Sequence, residues 1–289
     1  MRTLTTISEV LEYCSKYNKK MSEVFIEIEA KRTNKSCDEV FDQMRKMWNV
    51  MKESMEKGIA DDSLSPSGLS GGDAKRMWDA PAIVAGDVIR RAIARAMAVS
   101  EVNAKMGRIV AAPTAGSSGI LPAALYTAAE ELNVDEDTII RGLFVAAGLG
   151  IVISLNASLA GATGGCQAEC GSAAGMAAAA IVEMAGGSPE QSAHALAISL
   201  KNVLGLVCDP VATLVEVPCV KRNAMGVVNA LSSAEMALHG VKSKIPPDEV
   251  IIAMSKIGRE LPESLRETGE GGLADTPTGR RLRKQILGY

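Results

Sequence analysis

Four of the six cysteines stand between Ala162 and Cys219, in the least charged part of this 289-residue chain, and no other feature narrows its possible folds as much. The stretch opens with Ala-Thr-Gly-Gly-Cys-Gln-Ala-Glu-Cys, from Ala162 to Cys170, and continues through an alanine-rich run. It closes with Cys208-Asp209-Pro210 and Val217-Pro218-Cys219. From Val145 to Val215 the acids and bases are Glu169, Glu183, Glu190, Lys201 and Asp209, in a sequence otherwise rich in Ala, Gly, Leu and Val. Such a segment must be interior. Thiols gathered in an interior segment read as a buried metal centre, with Cys166, Cys208 and Cys219 as the candidate ligands.

The small residues Ala173, Ala174, Gly175 and Ala177 to Ala180 allow helices to approach closely, and two Trp, four Tyr and three Phe are too few for a large aromatic core. Only residues 108–112 and 211–217 have β character, so the fold class is all-α: a compact multi-helix domain with an Ala/Gly-rich core around a metal centre. The whole chain, 1–289, reads as a single helical domain. Residues 1–60 would be two or three peripheral charged helices, with Ile7, Val10, Leu11 and Cys14, and then Val40, Met44, Met47 and Met51, at helical spacing. Residues 61–289 would hold the core and the metal site. Cys14 and Cys37 are expected to be half-buried packing residues.

A net charge of −3 with both signs interspersed gives no basic stripe for nucleic acid. The apolar run from Gly142 to Leu155 is shorter than the roughly 20 residues that cross a bilayer, and it reads as a core helix with no membrane span. No signal peptide is evident, and cysteines of uneven spacing suit a reducing compartment, so a cytoplasmic protein is expected.

Two loops interrupt the helical pattern. The first, Ser63 to Arg76, carries Ser67-Gly68-Leu69-Ser70-Gly71-Gly72 and ends with Lys75 at the start of the next helix. Its small residues let backbone N–H groups approach a ligand, although a flexible connector would have the same composition. The second, Ala112 to Pro122, offers Thr114, Ser117 and Ser118 ahead of a helix, a setting that suits a carboxylate or phosphate. An ordinary capping loop also favours Ser and Thr.

Several metals could use the cysteines. Zinc would want four N or S ligands, commonly in short paired spacings, and His194 and His239 lie in alanine-rich helical patterns that suit packing. Cys166 and Cys170 would share a helical face, but Gly164-Gly165 places Cys166 at a loop-to-helix junction. An iron–sulfur cluster held by three cysteines leaves one iron open, a Lewis acid rather than an electron carrier.

Thr163-Gly164-Gly165-Cys166-Gln167-Ala168-Glu169, Cys208-Asp209-Pro210 and Val217-Pro218-Cys219 together resemble the α subunit of the bacterial iron–sulfur-dependent L-serine dehydratase. The cysteine intervals of 42 and 11 residues match that family's cluster ligands. The likeness extends to Ser67 to Gly72, Pro113 to Gly119, Gly272-Leu273-Ala274 and Thr276 to Gly279, and so covers nearly the whole chain.

The resemblance implies an oxygen-sensitive [4Fe–4S] enzyme, without pyridoxal phosphate, that converts L-serine to pyruvate and ammonia in an all-helical catalytic domain. Cys166, Cys208 and Cys219 would hold the cluster and Cys170 would not. Thr114, Ser117 and Ser118 are expected to bind the substrate carboxylate. Lys75 is the candidate base, because a buried lysine can have a lowered pKa. A further substrate-binding domain of single-chain relatives has no counterpart here, so a separate β subunit is expected to complete the pocket. The terminal Gly288-Tyr289 offers no cysteine to plug the open iron, as some relatives do. Three other readings stay open: a cluster-dependent L-cysteine desulfidase, a pyridoxal-phosphate dehydratase built on Lys75 and the 114–119 loop, and a non-catalytic helical partner-binding subunit.

Overall fold

The structure, a computed structural model, describes residues 4–288; the closing Tyr289 lies outside them. Among the described residues there are thirteen α-helices and no strand: α1 Ile7–Tyr17, α2 Met21–Thr33, α3 Cys37–Ala60, α4 Asp73–Asp79, α5 Gly86–Ala104, α6 Ile120–Leu132, α7 Glu136–Asn156, α8 Gly161–Gly164, α9 Ser172–Met184, α10 Pro189–Lys201, α11 Cys219–Leu238, α12 Pro247–Glu260 and α13 Pro277–Leu287. The all-α expectation holds. Of the two runs with β character, one carries the 3-10 turn Val211–Thr213, and the described residues contain only an isolated bridge between Cys208 and Arg266.

Local sequence signals set many of the helix ends. Ser36 and Ser188 accept N–H bonds from Glu39 and Gln191, whose side chains return the bond to the cap. Asn18, Asn34 and Asn133 close α1, α2 and α6 in the left-handed region, which Asn tolerates better than most residues.

All thirteen residues of α9 are buried, and the helix packs against α6, α7, α10 and α11. Alanine makes this possible, since a helix with few bulky side chains can be surrounded by others. A Cβ on Gly175 would stand 2.7 Å from Leu196 Cδ1, so the α9–α10 contact uses the missing methyl. The apolar run read as a core helix belongs to α7, which extends back to Glu136. By length and composition α7 could cross a membrane, but 67% of its apolar stretch is buried inside the protein.

Helices α1–α3 share the same continuous apolar core: Ile7, Val10, Met21, Val24 and Trp48 are all inaccessible. Cys14 and Cys37, expected to be alike, differ. The Cys14 thiol is buried among these helices and its pKa is pushed up to about 12 by burial and by Glu183, whereas Cys37 is exposed in the first turn of α3.

Candidate functional site

Cys166 follows Gly165, whose φ of 74° would strain any other residue and whose Cβ would meet the Leu206 carbonyl oxygen at 2.8 Å. The chain then makes a π-helical turn, Gln167–Gly171, a widened turn that often marks a functional site. Gln167 pins this turn. Its backbone N–H donates to Leu206 O at 3.0 Å, its Nε2 donates to Met254 O at 3.0 Å, and its Oε1 accepts from Gly205 N–H at 2.9 Å.

Cys208 lies between α10 and α11, braced on both sides by the 265–267 segment: its N–H donates to Leu265 O at 2.9 Å and its carbonyl accepts from Glu267 N–H at 2.7 Å. Cys219 is the first residue of α11, where the helix dipole favours a thiolate. The thiols share one electrostatic environment. Burial raises the pKa of both Cys208 and Cys219, the latter to about 12, and negative charge on Cys166 raises each further. Cys166 is the exception. A thiol bond with Cys170, whose sulfur is 3.3 Å away, and the nearby Arg222 guanidinium hold its pKa down, while Cys170, fully enclosed, is pushed the other way.

Glu169 stands at the junction of these segments. Its Oε2 is 3.8 Å from Cys208 Sγ, and the Thr114 side chain lies near enough to lower its pKa. Desolvation raises its pKa, so this carboxyl holds a proton more readily than an exposed one. The cradle around it depends on missing side chains. A Cβ on Gly161 would fall 2.6 Å from Glu169 Oε2 and 3.0 Å from Cys208 Sγ, and one on Gly116 would lie 3.4 Å from Oε1.

Buried polar bonds hold the walls. Arg222, on α11, donates to Asp209 Oδ1 and to the Val207 carbonyl, both at 2.8 Å, while Asp209 Oδ2 accepts Leu273 N–H at 2.8 Å. Asn223 ties the 114–119 loop to the cysteine helix: its Nδ2 donates to Gly116 O and Cys219 O, and its Oδ1 accepts from Gly119 N–H.

Of the residues expected at the site, Cys166, Cys208 and Cys219 lie within one another's electrostatic reach, and Thr114 lies beside Glu169. Ser117 is fully buried with its hydroxyl 3.2 Å from that of Thr114. The Ser118 hydroxyl turns back to donate to Ala115 O at 2.8 Å, closing its own turn.

Lys75 departs from the expectation of a buried, low-pKa base. It is in the first turn of α4, partly exposed and paired with Asp79 at 3.0 Å, and that pairing raises its pKa. The physical reason is its place on a short surface helix, where solvent and a carboxylate four residues on stabilise the charged form. Arg222 and Asn223 were not singled out from sequence, and Glu169 and Asp209 stood there only within motifs, with no role assigned. A signal existed for the two acids alone, each standing among the few charges of an apolar stretch.

These residues fit an iron–sulfur cluster better than a single ion. Among the described residues no three His, Cys, Asp or Glu side chains converge closely enough to hold one metal ion. Three thiols near enough to shift one another's pKa, yet not gathered around one point, suit a body several atoms across, and soft thiolates suit iron–sulfur chemistry. A cation there would also reverse the thiol shifts that burial imposes.

An all-helical protein whose largely buried site joins three thiols and a carboxyl from separate segments defines a class of helical proteins with a thiol-rich site. The chain belongs to the serine dehydratase alpha chain family, whose model matches residues 16–274. It is 53% identical over 285 residues to the probable L-serine dehydratase alpha chain of Bacillus subtilis, covering 98% of this chain and 95% of that one. The L-serine dehydratase alpha chain of Peptoniphilus asaccharolyticus is 47% identical, with 98% of each chain covered. L-serine dehydratase 1 of Escherichia coli K12 is 37% identical over 92% of this chain but only 60% of its own length.

Proposed function

We propose that this chain is the catalytic α chain of an L-serine dehydratase, a lyase that eliminates water from L-serine and yields pyruvate and ammonia. The observation that carries the reading is the meeting of Cys166, Cys208 and Cys219 beside Glu169 in a chain whose relatives are L-serine dehydratases. Those relatives favour serine dehydration over cysteine desulfidation.

The three thiols would hold a [4Fe–4S] cluster, which supplies a Lewis acid for a poor leaving group, hydroxide. The rest of the chemistry needs positioning and proton handling. One proton leaves Cα as the Cβ–O bond breaks, giving aminoacrylate, which tautomerises to an imine and hydrolyses in water. The 114–119 loop, with Thr114 and Ser117 foremost and Ser118 shaping the turn, offers hydroxyls and N–H groups for the substrate carboxylate. Glu169, in the enclosed cradle, is placed to hold a proton next to that carboxylate subsite. Lys75, kept charged by Asp79, is a poor base as it stands, and pyridoxal phosphate has no part in this scheme.

A separate β subunit would complete the pocket. The alpha-chain naming of the nearest-length relatives supports it, as does the 40% of the Escherichia coli protein that lies outside the alignment. A stable interface would bury about 1,200 Å² or more in total. The absence of a disulfide among the described cysteines suits a reducing cytoplasm.

The test is anaerobic iron and sulfide analysis together with pyruvate formation, with the chain alone and co-expressed with its β subunit. Cys166→Ser, Cys208→Ser and Cys219→Ser should each lose the cluster and reduce turnover by about a thousandfold or more, as expected when a Lewis acid is removed. Cys170→Ser should keep both. Full iron in any of the first three variants, or no dehydratase activity in the loaded complex, overturns the reading.

A further inference from the structure

The loop Ser65 to Ser70 and the segment that delivers Cys219 meet at one buried carboxylate. Glu216, 4% exposed, accepts three hydroxyl bonds: Ser65 Oγ at 2.6 Å and Ser70 Oγ at 2.5 Å to Oε2, and Ser67 Oγ at 2.7 Å to Oε1. The loop is folded to present them. Ser65 N–H donates to Ser70 O, Gly68 N–H donates to Ser65 O, and Leu69 N–H donates to Ser67 Oγ. Gly71 follows at φ 128°, where a Cβ would stand 2.1 Å from Ser63 O. A buried charge is retained only where donors replace its lost water, and three hydroxyls do so here.

The segment on the other side needs such an anchor. Ala212 and Thr213 both have φ near 55° (54° and 58°), in the left-handed region that such residues avoid, so the backbone leading to Cys219 does not hold itself by local preference. Glu216 is three residues before Cys219, and its carbonyl accepts Val220 N–H at 3.0 Å in the first turn of α11. One residue therefore grips the serine loop with its side chain and the start of the cysteine helix with its backbone.

We propose that Glu216 is a positioning residue for Cys219, its carboxylate locked by Ser65, Ser67 and Ser70 so that the thiol is presented to the cluster. The inference rests on Cys219 being a cluster ligand. Glu101 is the natural comparison: it is also buried and grips the far end of the same loop, accepting the N–H groups of Gly72, Asp73 and Ala74, but its side chain makes no bond to residues 206–219.

The experiment follows two readouts in Glu216→Gln, Glu216→Ala, the triple Ser65→Ala/Ser67→Ala/Ser70→Ala variant and Glu101→Gln, with melting temperature recorded for each. The first is the iodoacetamide labelling rate of Cys219 relative to Cys208 in reduced, iron-free protein, read by mass spectrometry. The second is the rate of iron loss to a chelator from anaerobically loaded protein. The Glu216 and serine variants should raise the Cys219-to-Cys208 labelling ratio about tenfold, as expected when a local opening is eased, and shed iron faster. Glu101→Gln should lower the melting temperature and leave the ratio as in the parent. An unchanged ratio in Glu216→Gln and the triple variant, or an equal rise in Glu101→Gln, overturns the proposal. If Glu216→Ala does not fold, those two variants decide. A parent protein that takes up no iron would instead overturn the cluster reading, and the labelling ratio would still decide the role of Glu216.

Discussion

The helical core around α7 and α9 and the irregular segment from Leu206 to Cys219 are both apolar in composition, yet they are held in opposite ways. In the core every residue of α9 is buried, and stability is spread over many apolar contacts, each individually weak. In the segment, position depends on a few polar bonds: Arg222 to Asp209 and to Val207 O, Cys208 to Leu265 and Glu267, and Glu216 to three serines. Distributed packing degrades gradually when it is altered. A segment braced by single buried bonds should fail at once when one is removed, and the two regions can be told apart on that basis.

The sharpest break is Asp209→Ala. It leaves the Arg222 guanidinium, itself mostly buried, without its carboxylate and frees Leu273 N–H. Breaking a buried pair from one side costs about 3–5 kcal/mol, and the same change releases the chain beside Cys208. Chemical denaturation and iron content should therefore fall together; a stable variant with full iron would show that the segment does not depend on this pair.

Gly148→Ala tests the other region. The added Cβ would lie 2.2 Å from ring atoms of Phe25, a rigid neighbour where α2 crosses α7. Overpacking of this kind costs about 1–3 kcal/mol. The melting temperature should drop while iron per folded chain stays at the parent level, and a loss of iron would mean that the two regions are coupled.

The smallest effect is expected from Glu183→Gln, in α9. Glu183 accepts the Ser22 N–H at the start of α2, but burial raises its pKa above the ordinary 4.5. A carboxyl with a raised folded pKa is protonated more readily in the folded state, so stability falls as pH rises from about 4.5 through the folded value. Glutamine keeps an acceptor and removes the charge. The variant should match the parent in acid and be more stable near neutrality, with melting curves at pH 5 and pH 8 as the check. A variant less stable than its parent at pH 8 would show that the charge itself holds α2.

What the sequence determined was local. The 3.6-residue spacing of apolar groups, the serine and asparagine helix ends and the alanine-rich run from Ala173 to Ala180 are enough for an all-α fold, because helix hydrogen bonds join residues four apart. The motifs around Cys166, Cys208 and Cys219, through their resemblance to a known family, likewise marked these residues as candidate ligands. Tertiary structure decided which polar groups matter, because burial and pairing bring together residues far apart in the chain. Ser65 reaches Glu216 across 151 positions and Gly116 reaches Asn223 across 107, and no local pattern announces either bond. Lys75 shows the same limit from the other side. Its sequence setting suggested a buried base, but only the packed structure could place it at the surface beside Asp79, where solvent and an opposite charge keep its proton on.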